Sequence, residues 1–198
     1  MNKKVLFLDA GKVFVTFEER HEVLTRVARV AQAPTIPTYQ DFVSCGILAA
    51  SHDGTHEGPY ELIDSGQVSW NGIYQKFLTV TGLTEEQFPE FRFWATFCRH
   101  LEPIDGVVTL LQEIQDQQIP LVVISNGEFG SQHAADLVSF KYGITWAGVV
   151  ISSQVLAKKP GDEMWKAAEA IGRKQVPGLM HDQMAYVDDV KRYCDAFV

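Results

Sequence analysis

The chain has 198 residues, 46% of them hydrophobic, which suits one main domain with a modest insertion or two small domains. Its formal net charge is −8 and its basic residues form no run longer than Lys158-Lys159, so the electrostatic footprint of a nucleic-acid-binding surface is missing. Three cysteines, Cys45, Cys98 and Cys194, stand far apart with no Cys-x-x-Cys pair. That spacing argues against a zinc site or a disulfide framework and fits a reducing compartment.

In chain order, Met1-Asn2-Lys3-Lys4 precedes a short apolar run, Val5 to Leu8, interrupted by Asp9. The run is too short for a signal segment or a spanning helix and reads as a buried parallel strand; a cytoplasmic location is expected. From Glu19 to Val30, Val23, Val27 and Val30, with Leu24 beside them, fall at helical spacing. Pro34 and Pro37 break the chain. The stretch from Tyr39 to about His100 is rich in aromatics and shows no strand pattern. Ser51 to Gly58 reads as a loop, and Thr84-Glu85-Glu86-Gln87 reads as a capping box opening a helix. Phe88, Phe91, Phe93, Trp94 and Phe97 read as packing residues.

Beyond Pro103, Val107, Leu110, Leu111 and Ile114 form a helical stripe. Leu121 to Ile124, Gly148 to Ile151 and Met184 to Val187 read as three more buried strands, with a helix from Asp162 to Ile171. Strands alternating with helices predict an α/β fold, a parallel sheet covered on both faces.

Polar residues end three of these strands: Asp9 after the first, Ser125-Asn126 at the second, Asp188-Asp189 after the fourth. Ligands of open α/β sheets bind beyond the carboxyl ends of the strands, so these residues should meet in one crevice, within reach of Lys159 in the loop after the third strand. Three clustered carboxylates repel one another and need a counter-charge. Hard oxygen ligands with a phosphate partner select Mg²⁺. In this reading Asp9 attacks a phosphoryl group to form an aspartyl-phosphate that water hydrolyses. Lys159 supplies positive charge, and Ser125 hydrogen-bonds a phosphoryl oxygen. Taken singly, Asp9 and Ser125-Asn126-Gly127 are ordinary turn residues, and the function reading rests on their joint placement. Lys158 reads as a surface charge, and Lys12 as either a surface charge or a neutraliser of the crevice. His52 and His56 lie four apart, but Asp53-Gly54-Thr55 between them reads as a loop and argues against a metal site.

Four segments in order resemble the motifs of the haloacid dehalogenase (HAD) superfamily: Phe7-Leu8-Asp9-Ala10-Gly11-Lys12-Val13, Val123-Ile124-Ser125-Asn126, Ala157-Lys158-Lys159-Pro160 and Tyr186-Val187-Asp188-Asp189. The resemblance spans nearly the whole chain. It implies a Rossmann-like HAD core at 1–16 plus 101–198, with an inserted α-helical C1 cap at 17–100. It also implies a hydrolase of subfamily IA, most simply a Mg²⁺-dependent phosphatase of small phosphorylated metabolites such as sugar phosphates. Asp9, Lys159 and Ser125 would be catalytic. Gly11, Ser125, Asn126 and Lys159 would bind phosphate, and Asp9, Gly11, Asp188 and Asp189 would hold the metal, Gly11 through its backbone carbonyl. Ile63 to Trp70 is similar to the cap helix–turn of the branch that includes α-glucose-1-phosphate phosphatase. The partner would be a small phosphorylated substrate, with no nucleic acid or membrane, on a monomer or homodimer.

Three features depart from that pattern. Most HAD phosphatases carry a second Asp two residues after the nucleophile as general acid–base, worth about 10²–10⁴-fold; here that position is Gly11. Three explanations compete: a cap residue such as His52 or His56 replaces it, the substrate has a good leaving group, or activity is weak or lost. Tyr193 stands where motif IV usually has an Asn. Family members also continue past motif IV through a helix and a further strand, whereas this chain stops at Val198, which implies a shortened C-terminus. Two other functions remain: a 2-haloacid dehalogenase, which attacks carbon without metal, and a non-catalytic HAD scaffold used for binding.

Overall fold

The computed structural model describes residues 4–16, 20–48, 69–127 and 129–197. In chain order its elements begin with β1 (Val5–Leu8), β2 (Val15–Thr16), α1 (Arg20–Val30), α2 (Tyr39–Ser44), α3 (Trp70–Thr81) and α4 (Glu90–Phe97). They continue with β3 (Glu102–Pro103), α5 (Asp105–Asp116), β4 (Leu121–Ser125), α6 (Phe129–Tyr142), β5 (Trp146–Ile151), α7 (Ser152–Val155), α8 (Asp162–Gln175), β6 (Met184–Val187) and α9 (Lys191–Ala196). The chain divides into two compact units, Met1–Thr16 with Glu102–Val198, and Phe17–Leu101.

The first unit is α/β, as the alternation of strands and helices predicts. Its sheet is parallel with strand order β5-β4-β1-β6. All five residues of β4 are buried, and since successive side chains face opposite sides, the sheet centre is covered on both faces. Val5 and Phe7 of β1, Val122 and Ile124 of β4, and Val150 of β5 pack with Met164, Trp165 and Ala168 of α8. Close helix–sheet approach depends on glycine at two points. A Cβ on Gly148 would lie 2.7 Å from Ile171 Cδ1, and one on Gly172 would lie 3.1 Å from Phe7 Cζ. Val15–Thr16 pairs antiparallel with Glu102–Pro103, so the chain leaves and re-enters this unit on adjacent two-residue strands.

Within α5 the buried stripe runs through Val108 and Leu111, with Val107 and Ile114 half-buried. Leu110, expected on that stripe, is 52% exposed; it lies about 100° per residue from Leu111, on the side turned to solvent.

In the second unit, α1, α2, α3 and α4 enclose an aromatic core. Phe77, Phe88 and Phe93 are fully buried, with the Phe77 and Phe93 rings 4.8 Å apart and the Phe93 and Trp94 rings edge-to-face at 4.5 Å. The α1 stripe consists of Val23, Leu24, Val27 and Ala28. Val30, expected on it, is exposed. Of the aromatic stretch, Phe91 is the outlier, facing solvent from α4.

The capping box at Thr84 forms, but it does not open a helix. Thr84 N–H donates to Gln87 Oε1 at 2.9 Å, and Gln87 N–H to Thr84 Oγ1 at 3.3 Å. The helix starts only at Glu90, because Pro89 has no N–H to continue a turn and disfavours helical backbone at Phe88. The loop at Ser51–Gly58, the histidines His52 and His56, and most of the Ile63–Trp70 segment lie outside the described residues. All three cysteines are free, and Cys98 is buried. No helix among the described residues is long and apolar enough to cross a membrane.

Candidate active site

Strand register sets the site. Leu8 of β1 pairs with Val187 of β6, so the residues that follow, Asp9 and Asp188, emerge abreast at the carboxyl end of the sheet. The Asp9 N–H donates to the Val187 carbonyl at 2.9 Å and holds that alignment past the last ladder pair. After Asp9 the chain turns back at once: Phe14 and Val15 N–H both donate to the Ala10 carbonyl, and Lys12 N–H donates to Val15 O at 2.7 Å. Lys12 takes a left-handed conformation (φ 58°) at this turn and is exposed, which favours the surface role. Gly11 is half-buried and brings no side-chain proton donor next to Asp9.

Lys159 arrives from the loop between α7 and α8, and the Asn126 side chain pins its backbone. Asn126 Oδ1 accepts the Lys159 N–H at 2.7 Å, and Asn126 Nδ2 donates to the Lys159 carbonyl at 3.4 Å. The Asn126 side chain is thus engaged with Lys159, which offers it both a donor and an acceptor. The Lys159 ammonium, 2% exposed, donates to Asp9 Oδ1 at 2.7 Å and to Asp188 Oδ2 at 2.6 Å. It also donates to the Tyr186 hydroxyl at 2.9 Å and lies 5.0 Å from the Tyr193 ring centroid. Asp188 Oδ1 accepts the Val190 N–H at 2.8 Å.

Carboxylate oxygens of Asp9, Asp188 and Asp189 lie within 4.8 Å of one another, with Asp189 exposed. The Lys159 ammonium pairs with two of these three carboxylates, and the excess negative charge is the setting a divalent cation neutralises. An all-oxygen donor set of this charge suits Mg²⁺, so the residues present fit that ion. Burial holds the Asp9 carboxyl above its ordinary range; the Lys159 charge and hydrogen bond oppose the shift, and Asp188 adds to it. Burial likewise raises the Tyr186 hydroxyl, with its hydrogen bond to Asp188 next.

Ser125, 4% exposed, ends β4. Ser131 of α6 donates to Ser125 Oγ at 3.0 Å, leaving the Ser125 proton for another acceptor. Ser152 fixes the same loop by accepting from Gly127 N–H at 2.9 Å and donating to Gly127 O at 3.2 Å. Sequence reasoning passed over Tyr186, Ser131 and Ser152 and treated Tyr193 only as a departure. Only Tyr186 carried a signal: two residues before Asp188 on a strand, it shares that residue's face.

The parallel α/β sheet with its candidate site at the carboxyl ends of the strands has the fold of solved HAD structures. No family model and no curated protein matches the sequence. Solved structures do match. A HAD family enzyme from Bacteroides thetaiotaomicron superposes with TM-score 0.66 at 14% identity, over 100% of this chain and 89% of that one. A structure of the same enzyme in complex with magnesium and inorganic phosphate gives 0.64 at 13% identity, over 99% and 89%. A predicted phosphoglycolate phosphatase from Haemophilus somnus gives 0.52 at 15% identity, over 98% and 80%.

Proposed function

We propose that this protein is a Mg²⁺-dependent phosphatase of small phosphorylated metabolites, working through an aspartyl-phosphate on Asp9. One observation carries the reading: three carboxylates and one buried ammonium converge at the carboxyl ends of adjacent parallel strands. The solved neighbour with magnesium and inorganic phosphate supports it.

Asp9, Asp188 and Asp189, with the Gly11 carbonyl, would hold the metal, which when bound supplies positive charge to the phosphoryl oxygens. An Asp9 carboxylate oxygen attacks phosphorus while the bond to the leaving oxygen breaks. Water then attacks the same phosphorus and releases inorganic phosphate, returning the carboxylate. Lys159 holds Asp9 by one oxygen and offsets its charge, so the carboxylate stays oriented without solvent. Ser125 donates its remaining proton to a phosphoryl oxygen. Gly11 cannot protonate the leaving oxygen, so the reading favours substrates whose leaving group needs little help, such as anomeric or acyl phosphates. Residues 17–100 would act as a helical cap that selects the substrate, consistent with the subfamily IA branch near α-glucose-1-phosphate phosphatase. A cytoplasmic monomer or homodimer completes the proposal.

The test is a panel of phosphorylated metabolites assayed for phosphate release with Mg²⁺, beside Asp9→Asn. Turnover is expected in wild type and lost in the variant; phosphate release that survives Asp9→Asn rejects the mechanism. Halide release from a 2-haloacid without Mg²⁺ would instead place the protein among carbon-attacking dehalogenases.

A further inference from the structure

We propose that Tyr186 is a positioning residue of this site, its hydroxyl setting the Lys159 ammonium and the Asp188 carboxylate relative to Asp9; the proposal rests on the phosphatase reading above. An ammonium has three N–H donors. Those of Lys159 meet three acceptors at short range: Asp9 Oδ1 at 2.7 Å, Asp188 Oδ2 at 2.6 Å and Tyr186 Oη at 2.9 Å. With all three donors taken, the buried head group has one orientation. Tyr186 then donates its own proton to Asp188 Oδ2, closing a ring of Lys159, Tyr186 and Asp188. Since Val190 N–H occupies Asp188 Oδ1, both oxygens of that carboxylate are held, and its plane is fixed beside Asp9 and Asp189.

The phenol is itself on a rigid mount. Its ring lies 5.0 Å from Trp165 edge-to-face and 5.4 Å from Phe197. A phenylalanine at 186 keeps this packing and removes the oxygen alone. Lys159 is then left with a buried, unpaired N–H, and Asp188 loses a donor. Both groups are free to turn, and the carboxylate set loses its preformed geometry. Groups that orient metal ligands typically contribute about 10–100-fold to metal affinity or activity.

The experiment is Mg²⁺ titration of metal-free wild type and Tyr186→Phe by calorimetry, with kcat and KM measured on whichever phosphorylated substrate is turned over. About a 10-fold weaker Mg²⁺ affinity is expected, with a fall in kcat, little change in KM and a modestly lowered melting temperature. Should Tyr186→Phe fail to fold, ¹⁵N-lysine spectra of the wild type give the second readout. A slowly exchanging Lys159 ammonium signal is expected, and its absence overturns the proposal. Mg²⁺ uptake by wild type with an equal affinity in Tyr186→Phe overturns the proposal alone. Wild type that takes up no Mg²⁺ overturns the phosphatase reading and the proposal with it.

Discussion

Asp9 and Asp188 share one ammonium, and Asp9 is 9% exposed. A buried carboxylate in surplus over its counter-charge is poised for chemistry at the expense of stability. The sign follows from Asp9. Its carboxyl is raised above 3.8 in the folded chain, first by burial. As pH rises past 3.8 the unfolded chain therefore releases this proton before the folded chain does, and metal-free stability falls until the folded group has also ionised. Asp9→Asn removes that dependence. Metal-free Asp9→Asn is expected to match wild type in acid and to exceed it increasingly as pH rises through this window, as urea unfolding across pH would show. An equal gap at every pH would contradict it. At this scale the sequence named Asp9, Ser125, Lys159, Asp188 and Asp189 from their positions at strand ends and in one loop. It could not name Ser131 or Ser152, whose importance arises from contacts 6 and 25 residues away in sequence.

Elements with a single strong pattern were readable, and those shaped by a neighbour were not. The four sheet strands are short apolar runs, and their burial follows from that. α6 was not anticipated: it buries Ala134, Ala135 and Val138 yet exposes Phe140 at 94%, so its apolar residues trace no clean stripe. β2 and β3 have two residues each, too few for any periodicity. Gly148 in β5 shows the same dependence on a neighbour, since what it accommodates is the Ile171 side chain of α8. Gly148→Ala forces that contact and is expected to destabilise by roughly 1–3 kcal/mol. Gly148→Ala with Ile171→Ala should lose less than the two single changes summed, measured as a double-mutant cycle in denaturant. Additivity would show that the contact does not govern the site.

For the whole molecule, the carboxylates, Ser125 and Lys159 all belong to the unit of Met1–Thr16 with Glu102–Val198. A ligand that binds only the folded form stabilises it by mass action, about 2.7 kcal/mol at 100 times its Kd. Mg²⁺ at that excess is therefore expected to shift the unfolding of this unit in wild type and to shift it far less in Asp189→Asn. A shift of equal size in both would remove Asp189 from the metal site. The sequence by itself determined the alternation of strands and helices, the parallel sheet, and the polar residues at strand ends, because each depends on local pattern. Only the tertiary structure decided that Asp9 and Asp188 stand abreast and that Asn126 holds the Lys159 backbone. It alone decided that Tyr186 completes the Lys159 shell. These depend on strand register and on loops converging from residues up to 150 positions apart, distances over which no local periodicity carries information.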